Sequence, residues 1–327
     1  MNNIRLHFCD FWSGFNPLDT VLYKELSNRY IIELDNETPD YVIYSCFGHE
    51  FLKYDCVRIF HTSENIRPDF NLCDYAIGFD YIIFGDRYLR FPNYALYEEF
   101  GSVIKQKKYN LSDLSQKTRF CNFIYSNVGG DPMRQRIFEL LSQYKRVDSP
   151  GKYLNNMPQL DAGQFVQKVD WQNTKVDFQR NCKFTIAFEN SSTPGYTTEK
   201  LMHAFVADTI PIYWGNPHVN CEFNSKSFVN CHEFENINKV LERVMELDNN
   251  DELYLQMLNE ACFPNNRIPD ELSRETLMEF YTNILSQSLP LARRRSTFFW
   301  TTCYEADLRK GLRLLHIVRT LRRLLRR

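Results

Sequence analysis

Between Ile4 and Asp80 the chain returns again and again to short runs of Ile, Val, Tyr and Phe: "IRLHFC", "YIIELD", "YVIYSC", "VRIFHTS" and "YAIGFD". Runs so evenly apolar suit strands buried on both faces, which means a parallel sheet covered by other elements. A helical stretch, "LDTVLYKELSNRY" at 18 to 30, lies between two of them. The rhythm then stops at "IKQKKYNLSDLSQKT", residues 104 to 118, which is polar, rich in Lys and Ser, and without apolar periodicity. It resumes as "FCNFIYS", a helix "PMRQRIFELLSQY" with Pro132 in its first turn, the strand "FTIAFE", a helix from about Thr197 to Ala207, and the strand "IPIYWG". Residues 236 to 287 read as helical. The pattern predicts an α/β protein of two Rossmann-like domains facing a cleft, residues 1 to 110 and 116 to 288, with ligands bound beyond the carboxyl ends of the strands.

Composition agrees with that plan and narrows the classes of function. At 327 residues the chain is long enough for two cores, and 43% hydrophobic with 24% charged residues is the balance of a globular protein. Ten cysteines are scattered singly, with no CxxC and no His at metal-ligand spacing, so reduced thiols are expected. The start, "MNNIRLHFCDFW", has no basic region followed by an apolar one, and no stretch approaches the roughly 20 apolar residues of a membrane span. The expectation is a cytoplasmic, bacterial protein.

Charge is unevenly spread. Residues 293 to 327 carry eleven Arg or Lys against Glu305 and Asp307, a balance of +9, which leaves −11 on the rest of a chain with net charge −2. Leu314, Ile317, Val318, Leu321, Leu324 and Leu325 fall on one helical face, with Arg319, Arg322, Arg323, Arg326 and Arg327 on the other. Such a basic amphipathic helix is expected to lie on an anionic membrane surface, at the inner face of the membrane for a cytoplasmic protein. Nucleic acid is the weaker partner for so acidic a body.

The chemistry concentrates in "FTIAFENSSTPGYTTEKLMHAF", residues 184 to 205. A strand ends, a small polar turn follows, and a helix begins. Free N–H groups at that helix start, together with its dipole, favour an anion such as a diphosphate. Lys200 adds a cation, Glu199 can accept hydrogen bonds from sugar hydroxyls, Tyr196 offers a ring and a hydroxyl, and Gly195 permits close backbone approach. A capped helix with a solvated Glu-Lys pair explains the same residues equally well from spacing alone. No GxGxxG and no Walker A sequence is present.

The segment "FENSSTPGYTTEKLMHAFVADTIPIYWGNP" resembles the donor-binding signature of the α1,3/4-fucosyltransferases, glycosyltransferase family 10, bacterial type. "TSENIRPDFNLCDYAIGFDYIIFGDRYLRFP", at 62 to 92, is similar to the acceptor-side segment of the same family. The resemblance implies a GT-B fold and an inverting transfer of L-fucose from GDP-β-L-fucose. The hydroxyl that receives it belongs to N-acetylglucosamine in a β-galactosyl-N-acetylglucosamine glycan, α1,3 favoured over α1,4, giving a product of Lewis-antigen type. It further implies donor contacts at Tyr196, Glu199 and Lys200, with Glu189 and Asn190 nearby, and an arginine on the diphosphate. That arginine is Arg134, with Arg136 as its competitor. Ser126 and Asn127 are further donor candidates, and Glu64 corresponds to the catalytic base, with His61 structural. No metal or other cofactor is expected to be required, because cationic side chains can hold the diphosphate and the chain contains no DxD. The alternatives are a GT-B enzyme using another nucleotide sugar, and a glycan-binding or membrane-associated protein without turnover.

Overall fold

Parallel strands bury both faces, and this chain reaches from distant parts of its sequence to cover them. The structure, a computed structural model, describes residues 3–160 and 168–325. The first sheet holds β1 (Asn3–Cys9), β2 (Ile31–Leu34), β3 (Tyr41–Tyr44), β4 (Val57–His61), β5 (Tyr75–Gly78) and β6 (Tyr88–Arg90). They pair in the order β2-β1-β3-β4-β5-β6, each pair parallel. All five apolar runs of the first eighty residues supply strands. The second sheet holds β7 (Arg119–Asn122), β8 (Val147–Asp148), β9 (Cys182–Phe188), β10 (Ile210–Trp214) and β11 (Val229–Asn230), ordered β11-β10-β9-β7-β8 and again parallel.

The helices are α1 (Val21–Arg29), α2 (Met133–Tyr144), α3 (Lys168–Arg180), α4 (Glu199–Val206), α5 (Ile237–Asn249), α6 (Asp251–Asn259), α7 (Arg274–Leu285), α8 (Leu289–Ala292) and α9 (Trp300–Leu325). In the second unit α2, α5 and α6 bring Ile137, Leu141, Val240, Val244, Leu247, Tyr254 and Leu258 onto Cys121, Phe184 and Ile186 of the sheet. Helix α4 is buried along nearly its whole length, because Leu201, Met202, Ala204, Phe205 and Val206 leave few polar positions to face water.

The first sheet has α1 but otherwise only short 3-10 turns between its strands, so its own segment cannot cover both faces. The carboxyl-terminal helices return to do so. Alternation along the paired strands puts Tyr44, Phe60 and Ala76 on one face and Ile43, Ile59 and Tyr75 on the other. Leu308 and Leu312 of α9 pack on the cluster containing Tyr44, Phe60 and Ala76. On the opposite face the Phe280 ring of α7 meets Tyr75 edge-on at 6.1 Å. The chain therefore divides into Met1–Gly78, Ile82–Arg90 and Arg274–Arg327 as one unit, and Phe79–Tyr81 with Phe91–Ser273 as the other.

These units differ from the sequence-based boundaries of 1 to 110, 116 to 288 and 293 to 327, and packing gives the reason. Residues 91 to 110 join the second unit, where Tyr94 packs on Phe223 at 5.3 Å and the Lys105 N–H donates to Asn266 at 2.9 Å. Helix α7 joins the first. Residues 293 to 327 do not start as a detached tail. Arg295 forms a buried ion pair with Asp74, Arg294 Nη2 lies 2.7 Å from Asp86, and Glu305 pairs with the buried Arg58 at 2.8 Å. Only past Leu312 does α9 run out into solvent, with Leu314, Leu315, Ile317, Val318 and Leu321 exposed. Arg326 and Arg327 lie outside the described residues. Among the described residues no helix is long and apolar enough to cross a membrane, and the ten cysteines are free thiols.

Two truncations should accordingly behave differently. Removing residues 313 to 327 is expected to leave the unfolding temperature unchanged. Removing 293 to 327 strips the partners from buried Arg58 and Asp74, and should lower stability by about 3 kcal/mol or more. Denaturant titration of the two proteins checks this; equal stabilities would mean that α9 is not part of the first unit's structure.

Candidate active site

Strand β9 ends at Phe188, the chain turns through residues 190 to 198, and α4 begins at Glu199 with Thr198 as its N-cap. The turn is built on close backbone approaches. Gly195 has φ of +80°, its N–H donates to Asn216 Oδ1 at 2.8 Å, and a Cβ there would stand 2.4 Å from the Phe79 carbonyl oxygen. No L side chain fits. Tyr196 follows with 2% exposure, packed edge-on against Phe79 at 5.1 Å. Its ring is therefore a wall of the turn and not an exposed platform.

Behind the turn lies a fully buried carboxylate. Glu189, 0% exposed, accepts the Thr198 N–H at 2.7 Å on Oε1 and the Thr198 hydroxyl at 2.7 Å on Oε2. Lys200 Nζ lies 3.2 Å from Glu189 Oε2 and 3.3 Å from Glu199 Oε1, and donates to Thr198 Oγ1 at 2.9 Å. One ammonium thus bridges two carboxylates. Burial raises the pKa of Glu189, with Lys200 opposing the rise. Burial pushes Glu199 the same way, but Lys200 and Lys175 reverse it and hold Glu199 well below the usual carboxylate range. Burial disfavours the Lys200 ammonium, yet Glu189 and Glu199 more than offset this and raise its pKa. Lys200 and Glu199 retain part of their side-chain surface, so they are the members of the cluster that a ligand can reach.

Two contributors were not singled out by sequence reading. Lys175 of α3 is 5% exposed, and its Nζ sits 3.3 Å from His203 Nδ1. Burial brings its pKa down to about 8. His203 follows Glu199 by four residues on the same face of α4, and burial and then Lys175 bring it down to about 3, so the ring is neutral. Its Nε2 has no hydrogen-bond partner among the described residues. The available signal was the i, i+4 spacing of Glu199 and His203; nothing local pointed to Lys175.

Arg134 and Arg136 differ in burial. Arg134 is 1% exposed, lies over the Tyr125 ring at 4.4 Å, and donates from Nε and Nη2 to the Phe188 carbonyl and from Nη2 to Asn190 Oδ1 at 2.5 Å. Arg136 faces solvent. Arg134 therefore holds the end of β9 and orients Asn190, which is half-buried, while its own guanidinium is covered. Ser126 and Asn127 are exposed at the mouth of the same segment, where Asn127 Oδ1 accepts the Gly129 N–H at 2.8 Å. Of the expected donor residues, Glu189, Tyr196 and Arg134 form the buried frame. Asn190, Glu199, Lys200, Ser126 and Asn127 present surface.

Glu64 belongs to the first unit, three residues past the end of β4, and is half-buried. Its N–H donates to Thr62 Oγ1 at 3.1 Å and its carbonyl accepts from Ile66 at 2.8 Å, which fixes the loop. Burial takes His61, at the strand end, down to about 4. Among the described residues no group of three or more His, Cys, Asp or Glu side chains is placed to hold a metal ion.

Both units match family models. Residues 6–97 match the alpha-(1,3)-fucosyltransferase FucT N-terminal domain, and residues 114–259 match the carboxyl-terminal part of glycosyltransferase family 10 (fucosyltransferase). The chain belongs to glycosyltransferase family 10, and its fold is of the GT-B type. It is 34% identical over 310 residues to the alpha-(1,3)-fucosyltransferase FucT of Helicobacter pylori, covering 82% of this chain and 62% of that protein. It is 36% identical over 149 residues to 4-galactosyl-N-acetylglucosaminide 3-alpha-L-fucosyltransferase 9 of Mus musculus, covering 45% of this chain and 38% of the relative. The chain thus spans less than two thirds of the length of these curated relatives. A crystal structure of an alpha1,3-fucosyltransferase with GDP-fucose superposes with a TM-score of 0.72 at 30% identity, over 88% of this chain and 91% of that one.

His203 and His61 generate a stability prediction. Both pKa values are lowered on folding, so from about pH 6.5 downward the unfolded chain binds protons that the native chain does not. Stability should fall with pH through that window, by up to about 1.4 kcal/mol per pH unit for each histidine. Thermal unfolding between pH 7 and 5 measures it, and His203→Gln should flatten the slope. A profile unchanged by that substitution would show that His203 is not buried as a neutral ring.

Proposed function

We propose that the chain is an inverting fucosyltransferase that moves L-fucose from GDP-β-L-fucose to a hydroxyl of N-acetylglucosamine in a β-galactosyl-N-acetylglucosamine glycan, in α1,3 in preference to α1,4 linkage. The observation that carries this reading is the bridged cluster of Glu189, Thr198, Glu199 and Lys200, set in a fold similar to a fucosyltransferase solved with GDP-fucose. In this reading Glu199 and Lys200 touch the donor from their accessible sides. The acceptor hydroxyl gives its proton to Glu64, its oxygen forms the new bond to the anomeric carbon, and the bond to the diphosphate breaks with its electron pair leaving on GDP. Attack opposite the leaving group turns the β-linked donor into an α-linked product. The negative charge that develops on GDP is offset by Lys200, already fixed between two carboxylates, and needs no reorganisation when the bond breaks. We infer that no metal is required on the same ground. Arg134 contributes by holding Asn190 and the end of β9; direct contact with the diphosphate would need the covering segment around Gly130 to shift.

The assay is transfer from GDP-fucose to N-acetyllactosamine and to its β1,3-linked isomer, with and without EDTA and with the product linkage determined. Lys200→Ala should lower kcat/KM by at least tenfold, about 1.4 kcal/mol. Glu64→Gln should bind GDP-fucose normally and lose roughly 100-fold in kcat. No transfer by the wild type, or near-normal turnover by Glu64→Gln, would sink the reading or the base assignment respectively.

The exposed part of α9 supports peripheral attachment to the inner face of an anionic membrane, where lipid-linked acceptors would be found. From Arg313 onward the chain has no acidic residue, and its described apolar side chains are exposed. The protein lacking residues 313 to 327 should lose binding to vesicles of phosphatidylglycerol while keeping transfer to a soluble acceptor. Undiminished vesicle binding by that truncated protein would place the contact elsewhere.

A further inference from the structure

Aromatic side chains gather at the carboxyl end of the first sheet, and two of them, Trp12 and Phe47, are exposed. The loop after β1 stacks Phe11 on Phe15 at 4.0 Å with planes 9° apart, and sets Trp12 edge-on to Phe15 at 5.0 Å. Phe8 lies beneath, 6.3 Å from Phe11 and 6.2 Å from Phe15. On the loop after β3, Phe47 is 49% exposed, and Trp12 is 36% exposed. Large aromatic rings placed together normally bury most of their area.

The two loops are fastened to each other by one strained residue. Asp10 has φ of +60°, which costs roughly 1 kcal/mol for a residue with a Cβ. Its carboxylate accepts the N–H groups of Glu50 and Phe51 at 2.8 and 2.9 Å, and its carbonyl accepts the Phe47 N–H at 2.9 Å. Gly48 permits this, because a Cβ there would lie 2.1 Å from Asp10 Oδ1. The exposed rings are therefore held on a built support.

Register places this support beside the proposed base. Cys9, Tyr44 and Phe60 align across adjacent strands β1, β3 and β4. Trp12 and Phe47 each follow that row by three residues and Glu64 by four, all at the same end of the same sheet. The outer two strands of the three are about 10 Å apart. A glycan whose reacting hydroxyl meets Glu64 would thus lay its neighbouring sugar toward β3 and β1. A pyranose presents one face of C–H groups and a rim of hydroxyls; aromatic rings bury the face without demanding hydrogen bonds from it. Ile66, 48% exposed on the loop after β4, adds apolar surface at this end, whereas Tyr81 to Phe84 and Phe298 to Trp300 lie outside the loops that follow these three strands.

We propose that Trp12 and Phe47 form the acceptor subsite that receives the non-reacting sugar of the glycan, the β-galactosyl unit. This rests on the fucosyl-transfer reading above, and the experiment separates the two. Trp12→Ala and Phe47→Ala, shown to be folded by thermal unfolding, should raise the acceptor KM at least tenfold while the Kd for GDP-fucose stays within twofold. Trp12→Phe, which keeps an aromatic face, should recover most of the loss. Saturation-transfer NMR with free N-acetyllactosamine reads the same contact without turnover: galactose C–H protons should receive magnetisation in the wild type and lose it in Trp12→Ala. Active variants with an unchanged acceptor KM overturn the subsite, as does NMR contact that survives Trp12→Ala. Loss of vesicle binding in place of acceptor affinity would reassign the rings to a lipid surface and also overturn it. A wild type that binds the disaccharide through Trp12 yet transfers no fucose would refute the catalytic reading and leave the subsite standing.

Discussion

A carboxylate with no exposure has to find its compensation within the protein, and the way Glu189 does so shapes the second unit. It is satisfied by the N–H and hydroxyl of Thr198 and by the Lys200 ammonium. Removing Lys200 would leave a buried charge without a counter-ion, which typically costs several kcal/mol. The requirement explains neighbouring residues that otherwise look arbitrary. Gly215 is needed because a Cβ there would stand 2.4 Å from Glu189 Cγ. Asn216, also fully buried, accepts from Gly195 on one side and donates to Glu222 at 2.8 Å on the other, which ties the turn to the end of β10. The segments FEN, GYTTEK and WGN follow one another within residues 188 to 216 and form one hydrogen-bonded unit in space.

Much of this was legible in the sequence because it is local. Five apolar runs became strands of the first sheet, and a strand, a polar turn and a helix follow one another from β9 to α4 as the local pattern indicated. What stayed illegible depends on distant pairing. Strands β8 and β11 are two residues long and carry no periodicity of their own. Lys175 looks like an ordinary helical lysine until α3 is set against α4. The direction in which a side chain points was equally hidden: Glu189, Tyr196 and Arg134 are conspicuous in the motif, yet they support the surface and do not form it. The difference in burial between Arg134 and Arg136 follows from the face of α2 that packs, since residues two apart on a helix point in widely different directions.

The compact units depart from the boundaries read along the chain for a related reason. A composition shift at residues 104 to 118 marks a connection in the chain, whereas a unit is defined by what covers its sheet. The first sheet lacks helices of its own on enough of its surface, so α7 and the start of α9 are recruited from the far end of the sequence. A long-range contact of this kind leaves no signature in the local pattern of either partner.

Helix α9 shows how a single periodic element can serve two environments. Up to Leu312 it uses its acidic and apolar residues to dock: Glu305 neutralises Arg58, Tyr304 donates to Asp69 at 2.7 Å, and Leu308 and Leu312 enter the core. From Arg313 the same spacing continues without any acid to pair with the body, so the positive charges and apolar side chains of the outer turns have no internal use. Because Arg58 holds the inner turns rigidly, the outer turns are carried away from the sheet on a fixed helix and not on a loose linker. The helix expected over the tail is present through Leu325, but only the change in charge at Arg313 divides the part that completes a domain from the part whose described apolar side chains stay exposed.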